Sequence, residues 1–133
     1  MANEAVCIET PKIFARRTIA AAAVLPVGTV TKLTDDNTVV VSSADNDPFG
    51  GIVWELASTA TTTFTEITVA LDGVWGMKDS GAGGSAGAIV NIGGTNLIID
   101  SQSADLLTGS VVGKREMDSA ASEVTRIRVG HIA

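Results

Sequence analysis

The chain has few of the side chains on which catalytic and metal-binding sites depend. Among its 133 residues it contains one cysteine, Cys7, and one histidine, His131. A single cysteine forms neither a disulfide framework nor a thiolate cluster, and the lone histidine has no second histidine or cysteine with which to share a metal. A catalytic triad would need His131 beside an activated serine and an acid, and nothing in the sequence places them there. The sequence therefore predicts no enzyme activity, no cofactor and no metal.

Long apolar runs and aromatic residues are also scarce. The most apolar run, 19–27, is interrupted by Pro26 and is far shorter than the ~20 residues of a membrane span. A net charge of −6 gives no general attraction to phosphate, so neither a membrane nor nucleic acid is expected as a partner. The hydrophobic fraction is nevertheless 45%, with 4% aromatics and no tyrosine. Small and β-branched side chains make up the bulk, which is typical of a β-rich protein.

One stretch of the chain occurs twice. Displaced by 59 residues, Val27–Val53 matches Ala86–Val112 without a gap. The identical pairs are Gly28 and Gly87, Asn37 and Asn96, Ser42 and Ser101, Gly50 and Gly109, and Val53 and Val112. Matched glycines indicate matched backbone turns, because glycine enters positive φ without steric cost. The sequence therefore predicts an all-β fold, a compact β-barrel-like body of two similar hairpin-based units, with an extended N-terminal arm.

The predicted boundaries follow from this repeat. Residues 1–24 form the arm, and residues 25–133 form a single β domain with units at 25–80 and 86–133. The glycine-rich stretch 81–87 is interpreted as a flexible connector between the units. It formally matches the dinucleotide pattern G-x-G-x-x-A, but a predicted hairpin follows where that motif needs a helix. In the second unit, Glu123–Val129 is matched to the strand at 66–72 by a shift of 60, which keeps the same residues facing inward.

Two local features admit more than one interpretation. Asp45-Asn46-Asp47 resembles the start of a calcium loop, but Phe49 and Leu56 stand where oxygen ligands would be needed, so a solvated turn is favoured. Trp54 and Trp75 could stack on sugars or bases. In so aromatic-poor a chain they are predicted instead to lie in the core or at an oligomer interface.

Charge is distributed unevenly along the chain. Seven acids and no base lie between Leu33 and Met77, whereas bases collect towards both ends: Lys12, Arg16, Arg17, Lys114, Arg115, Arg126 and Arg128. Either the molecule is polarised, with its basic side facing a partner, or the placement is chance on a solvated surface.

Three short segments carry a resemblance to a known family. They are Gly28 with Lys32-Leu33, Ser43-Ala44-Asp45 with Phe49-Gly50-Gly51, and the run LTGSVVGK that ends at Lys114. Over residues 18–133 the chain resembles the capsid cement (head decoration) proteins of tailed bacteriophages. The resemblance implies a β-barrel-like protein without enzyme activity, made in the host cytoplasm, that binds the outer surface of the expanded capsid in the virion. Its implied partners are the major capsid protein and itself, as a homotrimer or a dimer.

The arm is the predicted capsid-binding element, although it matches the family least well. Its candidate residues are Lys12, Ile13, Phe14, Arg16 and Arg17, in which bases would steer encounter and the apolar pair would be buried on binding. We expect residues 1–17 to be mobile in the free protein and to add as a strand to a capsid sheet. Three alternatives stay open: an arm that packs on its own barrel or a neighbouring protomer, a carbohydrate-binding β module on a virion surface, and a small hydrolase or a subunit of one.

Overall fold

The computed structural model describes residues 3–19, 24–55, 57–58, 66–101 and 111–130, and these ranges contain thirteen strands and no helix. The strands are β1 (Val6–Glu9), β2 (Phe14–Ile19), β3 (Val24–Leu25), β4 (Val30–Asp35), β5 (Thr38–Val41), β6 (Phe49–Val53), β7 (Ala57–Ser58), β8 (Glu66–Ala70), β9 (Val74–Asp79), β10 (Ile89–Ile92), β11 (Leu97–Asp100), β12 (Val111–Arg115) and β13 (Val124–Val129).

The strands form two closed barrels. The first has the order β2-β5-β4-β6-β8. The second has the order β9-β11-β10-β12-β13 and closes where β13 pairs with β9, while β1 adds to β9 as a sixth strand. A short ladder of β3 with β7 stands apart from both. The predicted all-β, two-unit, barrel-like fold is confirmed.

The two barrels share one topology. In the first, β2 runs parallel to β5 and antiparallel to β8. In the second, β9 runs parallel to β11 and antiparallel to β13. The other neighbouring strands are antiparallel in both barrels, and β4–β6 and β10–β12 each carry an irregularity at the equivalent position. Each unit therefore begins with a strand that precedes the repeated hairpin.

The unit boundaries consequently differ from those predicted. The first strand of the first barrel, β2, lies inside the predicted arm, and the glycine-rich stretch 81–87 lies between β9 and β10 of the second barrel. That stretch is held in place rather than flexible. The N–H of Gly83 donates to Asp79 Oδ1 at 3.2 Å, and Gly84 and Ser119 exchange two backbone hydrogen bonds of 3.0 and 2.9 Å.

The ladder registers also correct part of the predicted alignment. Val30 pairs with Ile52 and Ile89 pairs with Lys114, so β6 corresponds to β12 with an offset of 62 rather than 59. The predicted match of Val53 with Val112 is therefore wrong, because the β11–β12 connection is three residues longer than its counterpart. Gly109, the predicted match of Gly50, lies outside the described residues. Similarly, β8 corresponds to β13 with an offset of 58 rather than 60. Since 58 and 60 are both even, the predicted inward face of β13 is preserved.

The repeated turns agree closely with the prediction. Gly28 and Gly87 have φ of 94° and 92°, and Asn37 and Asn96 have φ of 49° and 58°. The turn hydrogen bonds match as well, since Thr29 N–H donates to Pro26 O and its counterpart Ala88 N–H donates to Ser85 O, both at 3.1 Å. Glycine and asparagine tolerate these left-handed conformations better than other residues.

A shared core joins the barrels into one body. One cluster of buried side chains includes Val30 and Ile52 from the first barrel together with Trp75 and Ile98 from the second. Polar groups reinforce the junction: Asn96 Oδ1 accepts from the Val30 N–H at 2.8 Å, and the Asn96 N–H donates to Ser42 Oγ at 2.9 Å. A second cluster fills the first barrel around Val39, Val53 and Val69.

The predicted arm is extended, but its strands pair with the barrels. Val6–Glu9 lies on β9, and Phe14–Ile19 closes the first barrel. Between them, the N–H groups of Lys12 and Ile13 both donate to Asp72 Oδ1 at 2.8 Å. Where the sequence predicted a mobile segment at 1–17, residues 3–17 lie against the barrels, and backbone pairing in two ladders offsets the entropy of ordering them.

Candidate functional site

The predicted capsid-binding residues fall on two sides of β2. Ile13 is 58% exposed and Phe14 is 42% exposed, and Lys12 and Arg16 are also at the surface. Arg17 is different. Its Nε donates to Gly50 O at 3.2 Å and its Nη1 donates to Asn37 Oδ1 at 2.9 Å, so it ties β2 to the hairpin of its own barrel. Lys12, Ile13 and Phe14 are thus available to a partner, whereas Arg16 is exposed but ion-paired.

An aromatic series leads from this surface into the core. The rings of Phe14 and Trp54 are 5.6 Å apart and tilted by 54°, and those of Trp54 and Trp75 are 6.0 Å apart and nearly perpendicular. Trp75 is 1% exposed and donates its Nε1–H to Asp72 O at 3.0 Å. Trp75 is therefore a core residue, whereas Trp54 is partly buried and supports Phe14 from behind.

A shallow groove of about 410 Å³ lies over β2 and β8, lined by Phe14, Ala15, Arg16, Trp54 and Thr68. Arg16 Nη1 donates to Glu55 Oε1 and to Thr68 Oγ1, both at 2.7 Å. The Thr68 hydroxyl, with the Thr68 N–H and the Arg16 guanidinium, holds the pKa of Glu55 below its ordinary value, although burial opposes the shift. The groove therefore has one aromatic wall and one wall of paired, charged groups.

A second depression, of about 390 Å³, lies on the other side of Ile13 and includes Lys12, Asp72 and Arg128. Ile13 and Phe14 thus stand on a ridge between two depressions. On this ridge, Lys12 to Arg16, exposed apolar side chains are flanked by cations; the second barrel has another exposed apolar group, Val6, Ile8 and Val124, beside Arg126.

The C-terminal bases are already engaged. Arg126 and Arg128 each pair with both Glu9 and Glu116, at distances of 2.8 to 3.4 Å. Although burial opposes the shift, hydrogen bonds from Arg128 and Arg126 lower the pKa of Glu116. The hydrogen bond between Arg128 and Glu116 also raises the pKa of Arg128. Such exposed pairs stabilise little, but they leave less free positive charge at this face than the sequence indicates.

The second barrel holds a buried polar cluster that the sequence did not predict. Arg115 is 1% exposed, with Nη2 2.5 Å from Asp79 Oδ2, Nε 2.7 Å from Asp100 Oδ1 and Nη1 2.8 Å from Ser119 Oγ. Strand β2 corresponds to β9 with an offset of 60, and β5 to β11 with an offset of 59. The counterparts in the first barrel are therefore Val53 for Arg115, Ile19 for Asp79 and Val41 for Asp100. An offset of 62 would have revealed an arginine where the first unit has a buried valine.

The motifs flagged in the sequence are turns in the structure. Asp47 Oδ2 accepts from the N–H groups of Ser43 and Ala44, both at 2.9 Å, which is the geometry of a self-bonded loop. Gly83 to Gly87 also matches the G-x-S-x-G elbow formally, but Ser85 is exposed and the strand β10 follows instead of a helix.

The described residues offer neither a metal-binding cluster nor a membrane-spanning helix. No cluster of three or more histidine, cysteine or acidic side chains in these ranges is arranged to hold a metal, and Cys7 is an exposed free thiol. The same ranges contain no helix with the length and apolarity to cross a membrane. His131 lies outside the described residues.

The chain was compared with known proteins. No protein-family model matches it, and no curated protein matches it significantly.

Proposed function

We propose that this protein is a structural capsid decoration protein, which binds the outer surface of an expanded phage capsid in the virion and bridges neighbouring capsid subunits. The observation that supports it best is the ridge from Lys12 to Arg16, where exposed apolar side chains and cations are presented by a strand of a closed barrel. A surface held in place before binding costs less entropy to dock than a disordered arm.

The mechanism is a clamp. Ile13 and Phe14 are each about half exposed, so burying the remainder contributes roughly 1 kcal/mol per side chain. Lys12 and Arg16 steer the protein towards an acidic capsid surface rather than provide most of the affinity. In a homotrimer, three weak contacts act together, because each later contact forms at a high effective concentration. Separating two capsid subunits then requires breaking contacts with the bridging protein as well.

Point variants test the clamp better than truncation does. Deleting residues 1–17 would remove β1 and most of β2, so it would open the first barrel and uncover one edge of β9 before it reported on binding. We expect Phe14→Ala and Ile13→Ala to lower co-sedimentation with expanded capsids, each by roughly fivefold per contact. The matched control is Val124→Ala, which truncates a side chain 67% exposed on the second barrel. Wild-type protein that does not co-sediment, or a Val124→Ala loss equal to that of Phe14→Ala, would reject the proposal.

A carbohydrate-binding module is the second candidate. The groove beside Phe14 and Trp54 favours it, because an aromatic wall facing arginine, glutamate and threonine side chains is suited to a sugar ring and its hydroxyls. This candidate requires that sugars raise the melting temperature and change Trp54 fluorescence in the absence of capsids. An oligosaccharide panel without either effect would exclude it.

A further inference from the structure

The two barrels differ at one edge of their first strand. In the second barrel, β1 covers the N-terminal half of β9, with Val6 opposite Gly76 and Cys7 opposite Trp75. In the first barrel, β5 pairs with β2 only at Thr18 and Ile19, and no described strand covers Phe14–Arg17 on that side. The position that β1 fills in one barrel is therefore not occupied by any described strand in the other.

The ladder register identifies the backbone groups at this edge. The Leu71 N–H donates to Ile13 O at 2.9 Å, so residues 13, 15 and 17 direct their backbone groups to β8. The Thr18 N–H donates in the opposite direction, to Asn37 O at 2.8 Å. Phe14 and Arg16 lie in phase with Thr18, so each directs one N–H and one C=O to the uncovered edge.

We propose, on the basis of the proposed function, that this edge accepts an extended strand of the capsid protein, antiparallel to β2 and carrying apolar and acidic side chains. The intramolecular precedent supplies the geometry, since β1 sits on the equivalent edge of β9 with the sequence VCIE. Charge supplies a smaller preference for acids, because Lys12 is exposed beside this edge while Arg16 already pairs with Glu55 and Arg17 bonds to its own barrel. Strand addition of this kind gains affinity from the main chain and specificity from alternate side chains.

A second copy of the protein is a less suitable occupant. Just before β1, on its outer edge, the Ala5 N–H already donates to Gly28 O at 2.8 Å, so one end of that edge is not open to a neighbouring molecule. Two β2 edges brought together would place like charges side by side. A foreign acidic strand meets neither obstacle.

Proline at residue 16 tests the edge directly. Arg16→Pro removes the N–H at the uncovered edge and leaves the donors of Ala15 and Arg17 to β8 intact, and proline is tolerated at such edge positions. Arg16→Ala is the matched control, because it removes the same side chain and keeps the N–H. We expect Arg16→Pro to bind expanded capsids three- to tenfold more weakly per site than Arg16→Ala, as one hydrogen bond predicts. Equal binding by the two folded variants would overturn the proposal while leaving the decoration function intact.

Amide exchange on wild-type protein provides a second measurement that does not depend on the proline variant folding. In the free protein, Phe14 and Arg16 should exchange faster than Ala15 and Arg17, and on capsids the first pair should become protected. Unchanged exchange on capsids overturns the proposal, and so does protection that develops with protein concentration alone, since that result assigns the edge to a second copy.

If wild-type protein does not bind capsids, the proposed function fails. A synthetic peptide with the sequence of residues 3–10, with Cys7→Ser, then decides: protection of Phe14 and Arg16 at high peptide concentration retains a strand-accepting edge, and no protection rejects it.

Discussion

The buried cluster around Arg115 gives the sharpest prediction about stability. Arg115→Met keeps a long apolar stem and removes the guanidinium, which leaves Asp79, 1% exposed, without its ion-pair partner at 2.5 Å. Ser119 and Asp100 lose their bonds to Arg115 at the same time. Removing one member of a buried ion pair costs about 3–5 kcal/mol, because the remaining charge stays desolvated. For a chain of 133 residues this corresponds to a fall in melting temperature of roughly 10–20 °C.

The first barrel supplies the compensating variant. The triple change Asp79→Ile, Asp100→Val and Arg115→Val installs the side chains found at the equivalent positions of that barrel. Replacing a buried polar cluster with apolar residues is often neutral or stabilising, so we expect the triple variant to recover at least half of the loss. The control is Arg16→Met, which breaks an exposed pair with Glu55 and should cost at most about 1 kcal/mol.

Thermal and urea unfolding, followed by tryptophan fluorescence and circular dichroism, measure all three variants. A melting temperature for Arg115→Met that equals that of Arg16→Met would refute the reasoning, because it would mean that Asp79 reaches water or another partner without cost. A triple variant less stable than Arg115→Met would also refute it, since the two barrels would then not be interchangeable at this position.

Three further predictions concern the turns, acid stability and the aromatic series. Gly28→Ala should destabilise the protein more than Gly87→Ala, because both residues have φ above 90° but a Cβ at Gly28 would lie 2.2 Å from Ala5 O, whereas a Cβ at Gly87 would meet open space. Unfolding in urea should show a loss of about 1–3 kcal/mol for Gly87→Ala and a larger loss for Gly28→Ala. Equal losses would contradict this prediction. Despite the opposing effect of burial, the Ala44 and Ser43 N–H groups and Lys32 lower the pKa of Asp47. Its contribution to folding stability is therefore complete above the unfolded pKa near 3.9 and is lost as pH falls through the lower folded pKa. The melting temperature of Asp47→Asn should depend less on pH below about pH 4 than that of the wild type, and an unchanged acid profile would contradict this. Trp75→Ala should cost about 3–5 kcal/mol and Trp54→Ala less, since only Trp75 is fully buried, and the reverse order in chemical denaturation would show that Trp54 carries the core.

The sequence predicted the parts of the fold that depend on local chemistry. Gly28, Gly87, Asn37 and Asn96 mark their turns because a positive φ restricts the choice of residue, so the repeat was visible there. The first strands of the two barrels could not be matched from the sequence, because FARRTI and VWGMKD share a backbone position but no side-chain pattern. Equivalence of these strands depends on tertiary pairing, which leaves no local signal.

The candidate surface was predicted in part. Ile13 and Phe14 are exposed beside cations, as their sequence suggests. Arg17 was misplaced because strand alternation sends it to the side of β2 opposite Arg16, where it bonds to its own barrel. Arg115 was counted as a surface base, because the sequence gives no sign that Asp79 and Asp100 would be brought beside it across two other strands.

The attachment of β1 to β9 has a consequence for synthesis on the ribosome. Val6 pairs with Gly76, so the first strand to emerge must wait until some seventy further residues have been translated before its ladder can form. At 5–20 residues per second this is a delay of several seconds, during which Val6 and Ile8 are exposed on an unpaired strand. The shared core extends the same dependence to Val30 and Ile52, whose neighbours include Trp75 and Ile98. The two halves therefore do not fold independently, because the first half cannot complete its packing until the second has been translated. A ribosome stalled between them would hold an incompletely folded chain.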